Sequence, residues 1–135
     1  MSATQVFDLV DKPVDEVIVA IRSGLPARSL ADVAEALNIP GKLLAEKLHI
    51  APRTLARKLT GGSGLSLETS EKIIRVARIR NLASEIFTDG EAIREWLAQP
   101  APAFNGVPPL DLLDTDTGAR QVEALLRGIA NGHVI

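Results

Sequence analysis

The chain has 135 residues, 46% hydrophobic and only 3% aromatic, with no cysteine; this fits one compact domain, or two small ones sharing a core, and excludes disulfide frameworks and thiolate metal sites. The net charge of −2 is sorted along the chain: residues 40–80 hold nine Lys/Arg against three Asp/Glu, a net of +6, while residues 1–39 carry −3 and residues 81–135 carry −5. The first residues lack the form of a secretion signal, and no apolar stretch approaches the roughly 20 residues of a membrane span, so cytoplasm is the expected compartment.

With so few aromatics the core is built from Leu, Ile, Val and Ala, which favours packed helices over a β-sandwich. In VDEVIVAIR (14–22), Val14, Val17, Ile18 and Ile21 share one helical face until Gly24 and Pro26 break it. Ser29 with Asp32 resembles a capping pair and opens a short helix with Leu30, Val33, Ala34 and Leu37 inward, ended by Pro40-Gly41. Leu43, Leu44 and Leu48 line the next helix, which stops near His49. Pro52 suits a first helical turn, and the helix after it buries Leu55 and Leu59 before Gly61-Gly62.

The run GGSG (61–64) reads as a flexible connection; without a preceding strand or a following Gly-Lys-Ser/Thr it is no phosphate loop. A long helix is expected from Ser66 to about Phe87, with Leu67, Ile73, Ile74, Ala77, Leu82 and Ile86 inward. EAIREWLA (91–98) is a further helix after the Asp89-Gly90 turn. QPAPAFNGVPP, with four prolines in eleven residues, is a loop. PLDLLD reads as one helical turn, and the final helix directs Val122, Leu125, Leu126 and Ile129 inward and ends at Gly132. No segment alternates at period two over a strand's length. The expected fold is all-α.

LAEKLHIAPRTLARKLTGG (44–62) has the form of a helix-turn-helix. Leu44, Leu48, Ile50 and Leu55 let two short helices cross, with small Ala45 between them. The exposed side of the second helix then presents Arg53, Thr54, Arg57 and Lys58 to a major groove, where arginine donates two hydrogen bonds to guanine. Lys42, Lys47, Lys72 and Arg75 are placed along phosphates. A solvated basic face, or a basic helix lying on a membrane surface, would also present such charges. The coincidence of charge clustering with two-helix spacing favours DNA. His49 stands in the turn where glycine is frequent, and histidine tolerates a left-handed backbone better than most side chains.

Other motifs fail chemically. Asp-Thr-Gly (116–118, within LLDTDTGAR) resembles an aspartic-protease triplet but stands at a helix start, where Thr115 or Asp116 caps amides. A calcium loop from Asp114 would have Leu125 in place of its closing glutamate. His49 and His133 are too few for a multi-histidine metal site. No residue set supplies nucleophile, base and orienting group together, so no catalytic residue, metal or cofactor is expected.

Read together with the helix-turn-helix, the C-terminal series resembles the toxin-binding domain of the Xre/MbcA/ParS antitoxins. Its carriers are Ala83, Phe87, Trp96-Leu97, Pro100, Pro109-Leu110, Leu112-Leu113, Gly118, Val122, Leu126, Ile129 and Gly132; GLP (24–26) and RTLARKLTGG look like the family's N-terminal half. The resemblance spans roughly residues 24–132.

It implies a type II toxin–antitoxin pair in which the chain covers the active site of a RES-domain, NAD-using toxin. It also implies repression of the chain's own operon as a dimer, within a larger assembly. The toxin-facing candidates are Trp96, Arg127, Gly132, His133, Val134 and Ile135. An apolar dipeptide after the helix stop favours docking of the last helix and tail into the toxin, against a disordered tail, and Trp96 is either an interface anchor or packed between residues 93 and 97.

Three parts are expected: residues 1–24, an N-terminal helical segment and candidate dimer surface; residues 25–80, the helix-turn-helix region ending in a long joining helix; and residues 81–135, a small helical toxin-binding domain. The alternative is a free-standing helix-turn-helix regulator whose C-terminal half senses a ligand or dimerises.

Overall fold

A computed structural model of the protein describes residues 5–56 and 64–132. Among the described residues eight α-helices follow one another: α1 (Gln5–Leu9), α2 (Val14–Ser23), α3 (Ser29–Ala36), α4 (Gly41–Lys47), α5 (Pro52–Ala56), α6 (Leu67–Ser84), α7 (Gly90–Ala98) and α8 (Asp116–Ala130). Two 3-10 turns, Pro102–Phe104 and Pro109–Leu112, lie between α7 and α8. No strand occurs among the described residues beyond a bridge between Ala101 and Val107. The all-α expectation holds. Among the described residues no helix is long and apolar enough to cross a membrane.

The central element is α6. Ser66 caps it, its Oγ accepting from Thr69 N at 3.1 Å. Ile73, Ile74, Val76, Ala77, Ile79 and Ala83 are buried along it, because α1, α2 and α3 pack on one part of its surface and α7 and α8 on another. A helix covered from several directions needs apolar residues around most of its circumference. Leu67, expected inward, is 55% exposed at the uncovered first turn, and the helix stops at Ser84 rather than Phe87.

The N-terminal helices share this core. Val6 and Phe7 are buried, Asn81 Nδ2 donates to the Phe7 carbonyl at 3.0 Å, and the Arg80 guanidinium lies 4.4 Å from the Phe7 ring centre. On α2 the stripe is only half used: Ile21 is buried and Val17 half-buried, whereas Val14 is 75% and Ile18 39% exposed. Because α2 sits at the rim and packs chiefly on α6, only one edge of its stripe reaches the core.

The expected Ser29–Asp32 cap is not formed. Arg28 occupies the cap position in helical geometry, and Ser29 Oγ is buried without a partner. Arg28 Nε stands 3.4 Å from buried Asp32 Oδ2 in an ion pair that lacks hydrogen-bond alignment. Leu30, Val33, Ala34 and Leu37 are buried as expected. The turn after α3 is made by Asn38 in the left-handed region (φ 59°), while Pro40-Gly41 opens α4 instead of closing α3.

A chain crossing ties the ends of this region together. Leu65 N donates to the Leu25 carbonyl at 2.8 Å, and Gly24 (φ 90°) stands so close that a Cβ there would meet the Leu65 carbonyl oxygen at 2.4 Å. The positive φ and the contact both demand glycine. Gly64, read from sequence as part of a flexible run, is the other side of the same close approach.

In the C-terminal unit Asp89 caps α7, its Oδ1 accepting from Ala92 N at 2.8 Å, and Thr115 caps α8, its Oγ1 accepting from Gly118 N at 2.9 Å. The Asp-Thr-Gly triplet is thus a helix start. A Cβ on Gly118 would meet the Leu112 carbonyl oxygen at 2.1 Å, so the Pro109–Leu112 turn rests directly on α8. Ile93, Leu97, Leu110, Leu113, Val122 and Leu126 complete the core.

Candidate functional site

The helix-turn-helix is α4, the His49 turn and α5. Leu44, Ala45, Leu48 and Ile50 are buried, which fixes the crossing of the two helices. His49 adopts φ 57°, the left-handed geometry that lets the chain turn in so few residues. Pro52 is the first residue of α5, where the missing amide costs nothing. At the surface Lys42 and Arg53 are exposed, and Thr54 is half-buried. Arg57, Lys58, Leu59 and Gly61-Gly62 lie outside the described residues.

Three cations expected along phosphates are engaged within the protein. Lys47 Nζ lies 2.7 Å from Asp111 Oδ1, and this hydrogen bond holds the lysine pKa above its ordinary value. Lys72 pairs with Glu68 at 3.6 Å and donates to the His49 carbonyl at 3.4 Å. Arg75 Nη1 donates to the carbonyls of Leu113 and Asp114, both at 3.4 Å. Of these residues, which seemed one basic face from their sequence order, Lys47 and Arg75 point at the C-terminal unit, while Lys72 is held by its own helix and the His49 turn. Lys42 and Arg53 keep the exposed position expected of them.

Sequence reasoning missed the residues on the other side of these contacts. Asp111 takes Lys47, and Asp114 Oδ2 lies 3.2 Å from His49 Nε2. At the opposite end of α4, Asn38 donates to Glu91. The only signal in the sequence was the net −5 of residues 81–135, which marked an acidic unit without saying which carboxylates turn inward.

The C-terminal unit carries an open cleft of about 300 Å³, walled by Trp96, Pro100, Pro102, Pro109, Leu125 and Ile129. Leu125 and Ile129, expected inward, are half-buried because they form this wall, while Val122 and Leu126 reach the core. Trp96 packs against Phe87, with ring centres 5.9 Å apart, and also borders the cleft. Exposed Arg127 lines a separate depression beside Glu85 and Ile86, so Trp96 and Arg127 do not meet in one pocket. Gly132 (φ 82°) ends α8, its N–H donating to the Ile129 carbonyl at 3.0 Å. His133, Val134 and Ile135 lie outside the described residues.

Comparison with known proteins follows this division. The profile of the antitoxin Xre-like helix-turn-helix domain matches residues 16–78, and that of the antitoxin Xre/MbcA/ParS C-terminal toxin-binding domain matches residues 82–132. A Prs ADP-ribosylating antitoxin of Sphingobium sp. (strain YBL2) is 33% identical over 129 residues, covering 89% of this chain and 80% of its own length. An antitoxin Xre of Pseudomonas putida is 33% identical over 89 residues, covering 65% of this chain and 56% of its own. The same fold is seen in the crystal structure of the M. tuberculosis MbcT–MbcA toxin–antitoxin complex; one chain there matches with a TM-score of 0.66 at 19% identity, over 83% of this chain and 99% of that one.

The protein is therefore an antitoxin, with a helix-turn-helix half and a toxin-binding half. It belongs to the Xre/MbcA/ParS antitoxin family.

Proposed function

We propose that the chain neutralises a cognate RES-domain toxin by covering its NAD-using active site and represses its own operon through α4 and α5. The observation that carries the reading is the coincidence of charge with architecture. The basic stretch, net +6, holds the helix-turn-helix, and the acidic one, net −5, is the toxin-binding unit. A phosphate backbone favours the first and repels the second. The name of the Sphingobium relative couples it to ADP-ribosylation, chemistry whose donor is NAD.

In this reading Lys42, Arg53 and Thr54, continued by Arg57 and Lys58, meet DNA. The Trp96 cleft and the end of α8 with Arg127, Gly132 and the tail His133–Val134–Ile135 meet the toxin. A second copy covers the exposed Val14 and Ile18 edge of α2, giving the two-fold dimer that an operator of inverted half-sites requires. The pair works in the cytoplasm. A ligand-sensing regulator would have no need of a C-terminal half matched over residues 82–132 by a toxin-binding profile.

The test is expression of the neighbouring gene product alone and with this chain. Depletion of cellular NAD that this chain relieves, together with co-purification of the two proteins, is the expected result. Unchanged NAD with the toxin alone removes the RES assignment.

A further inference from the structure

The end of α4 that leads into α5 is engaged before any DNA arrives. Lys47 Nζ is 2.7 Å from Asp111 Oδ1, and two residues later His49 Nε2 is 3.2 Å from Asp114 Oδ2. The segment bearing both carboxylates is held in place. Leu110 and Leu113 are buried within it, Arg75 donates to the carbonyls of Leu113 and Asp114, and Thr115 caps the helix that follows. Asp111 is thus presented to Lys47 by a fixed turn of the toxin-binding unit.

We infer that Asp111 withholds Lys47 from DNA phosphate, so that the toxin-binding unit sets the affinity and salt response of the helix-turn-helix. The inference rests on the DNA-contacting role of α4 and α5 proposed above. A lysine adds to DNA affinity by displacing condensed counterions from a phosphate. An ammonium already bonded to a carboxylate brings that negative charge with it, and the net charge offered to the phosphate is near zero. Exchange of the lysine from Asp111 to a phosphate leaves two anions facing each other well within the screening length of about 8–10 Å. The side chains of Lys47 and Asp111 are 33% and 37% exposed, so the pair lies where a duplex can approach it. Its release requires only the loss of one charge.

The experiment measures binding of the full-length protein to a duplex of its own upstream region across a salt series. The proteins compared are wild type, Asp111→Asn, Lys47→Ala and the double variant. Asp111→Asn is expected to bind more tightly, with a plot of log affinity against log salt steeper by about one contact; raising salt fourfold then costs it about 3.5-fold more affinity than wild type. Lys47→Ala should keep the wild-type slope, and the double variant should return to it. A Lys47→Ala slope shallower by one contact would mean that the lysine already touches phosphate, and the inference falls. An Asp111→Asn protein with wild-type slope and affinity overturns it equally. If wild type binds and Arg53→Ala with Arg57→Ala abolishes binding while Asp111→Asn changes nothing, the inference alone fails. Absence of binding by every protein removes the DNA-contacting role and the inference together. Thermal melting and toxin neutralisation by Asp111→Asn should stay near wild type; Asp111→Ser repeats the charge removal if they do not, and must steepen the slope likewise.

Discussion

Asn38 Nδ2, in the left-handed turn before α4, donates to Glu91 Oε2 at the start of α7 over 2.7 Å. Glu91 also accepts from Arg94 Nε at 3.1 Å, and the Arg94 hydrogen bond is the main cause that holds its carboxyl below the ordinary glutamate value, with Asn38 contributing. A carboxylate depressed in the folded state stabilises it above the unfolded-state pKa, and that contribution is lost as pH falls through the folded value. Wild type should therefore lose more melting temperature than Glu91→Gln between about pH 5 and pH 3. Equal losses would show that the Asn38–Glu91–Arg94 contact does not persist in solution.

The turn that carries Asp111 is fixed by Gly118. Gly118→Ala drives a Cβ into the Leu112 carbonyl and should cost about 3 kcal/mol in urea unfolding. Thr115→Val removes only the cap of the same helix and should cost about 1 kcal/mol. A smaller effect for Gly118→Ala than for Thr115→Val would mean that the turn does not rest on α8 this closely.

For the DNA surface, Arg53→Ala combined with Arg57→Ala should abolish binding to the chain's upstream region and leave neutralisation intact. Gel-shift and growth-rescue assays on one preparation check both. Retained DNA binding would take the reading role away from α5.

Trp96 separates packing from recognition. It is half-buried, so Trp96→Ala should cost about 1–2 kcal/mol of stability yet weaken toxin binding at least tenfold. Leu97, 1% exposed, is its control: Leu97→Ala should cost about 3 kcal/mol and affect the toxin only through folding. Unchanged toxin affinity in Trp96→Ala would leave the cleft without its proposed partner.

Deletion of residues 133–135 should weaken neutralisation while leaving the melting temperature within a degree or so, since terminal residues contribute little to global stability. Full protection by the shortened chain would exclude the tail from the toxin contact.

Local signals in the sequence were read correctly where local chemistry decides the outcome. Thr115 caps its helix, His49 takes the left-handed turn, and Leu44, Ala45 and Leu48 are buried between α4 and its neighbours. The unformed Ser29–Asp32 cap and the Pro40-Gly41 boundary are the local misreadings; the other errors share a different cause. Leu67, Leu125 and Ile129 have the right helical spacing for burial, but whether such a position is covered depends on what packs over it. Val6 and Phe7 form too short a run for periodicity to reveal. Lys47 and Asp111 are 64 positions apart in sequence, and no pattern of residue types foretells which carboxylate reaches which amine.

The crossing of Gly24-Leu25 with Gly64-Leu65 joins two points 40 residues apart in the chain, just after α2 ends and just before α6 begins. The junction of these two helices is thereby pinned at its edge by backbone contact as well as by side-chain packing. Loop-closure entropy grows only slowly with added length, so residues added between α5 and Gly64 should cost little as long as this crossing is kept.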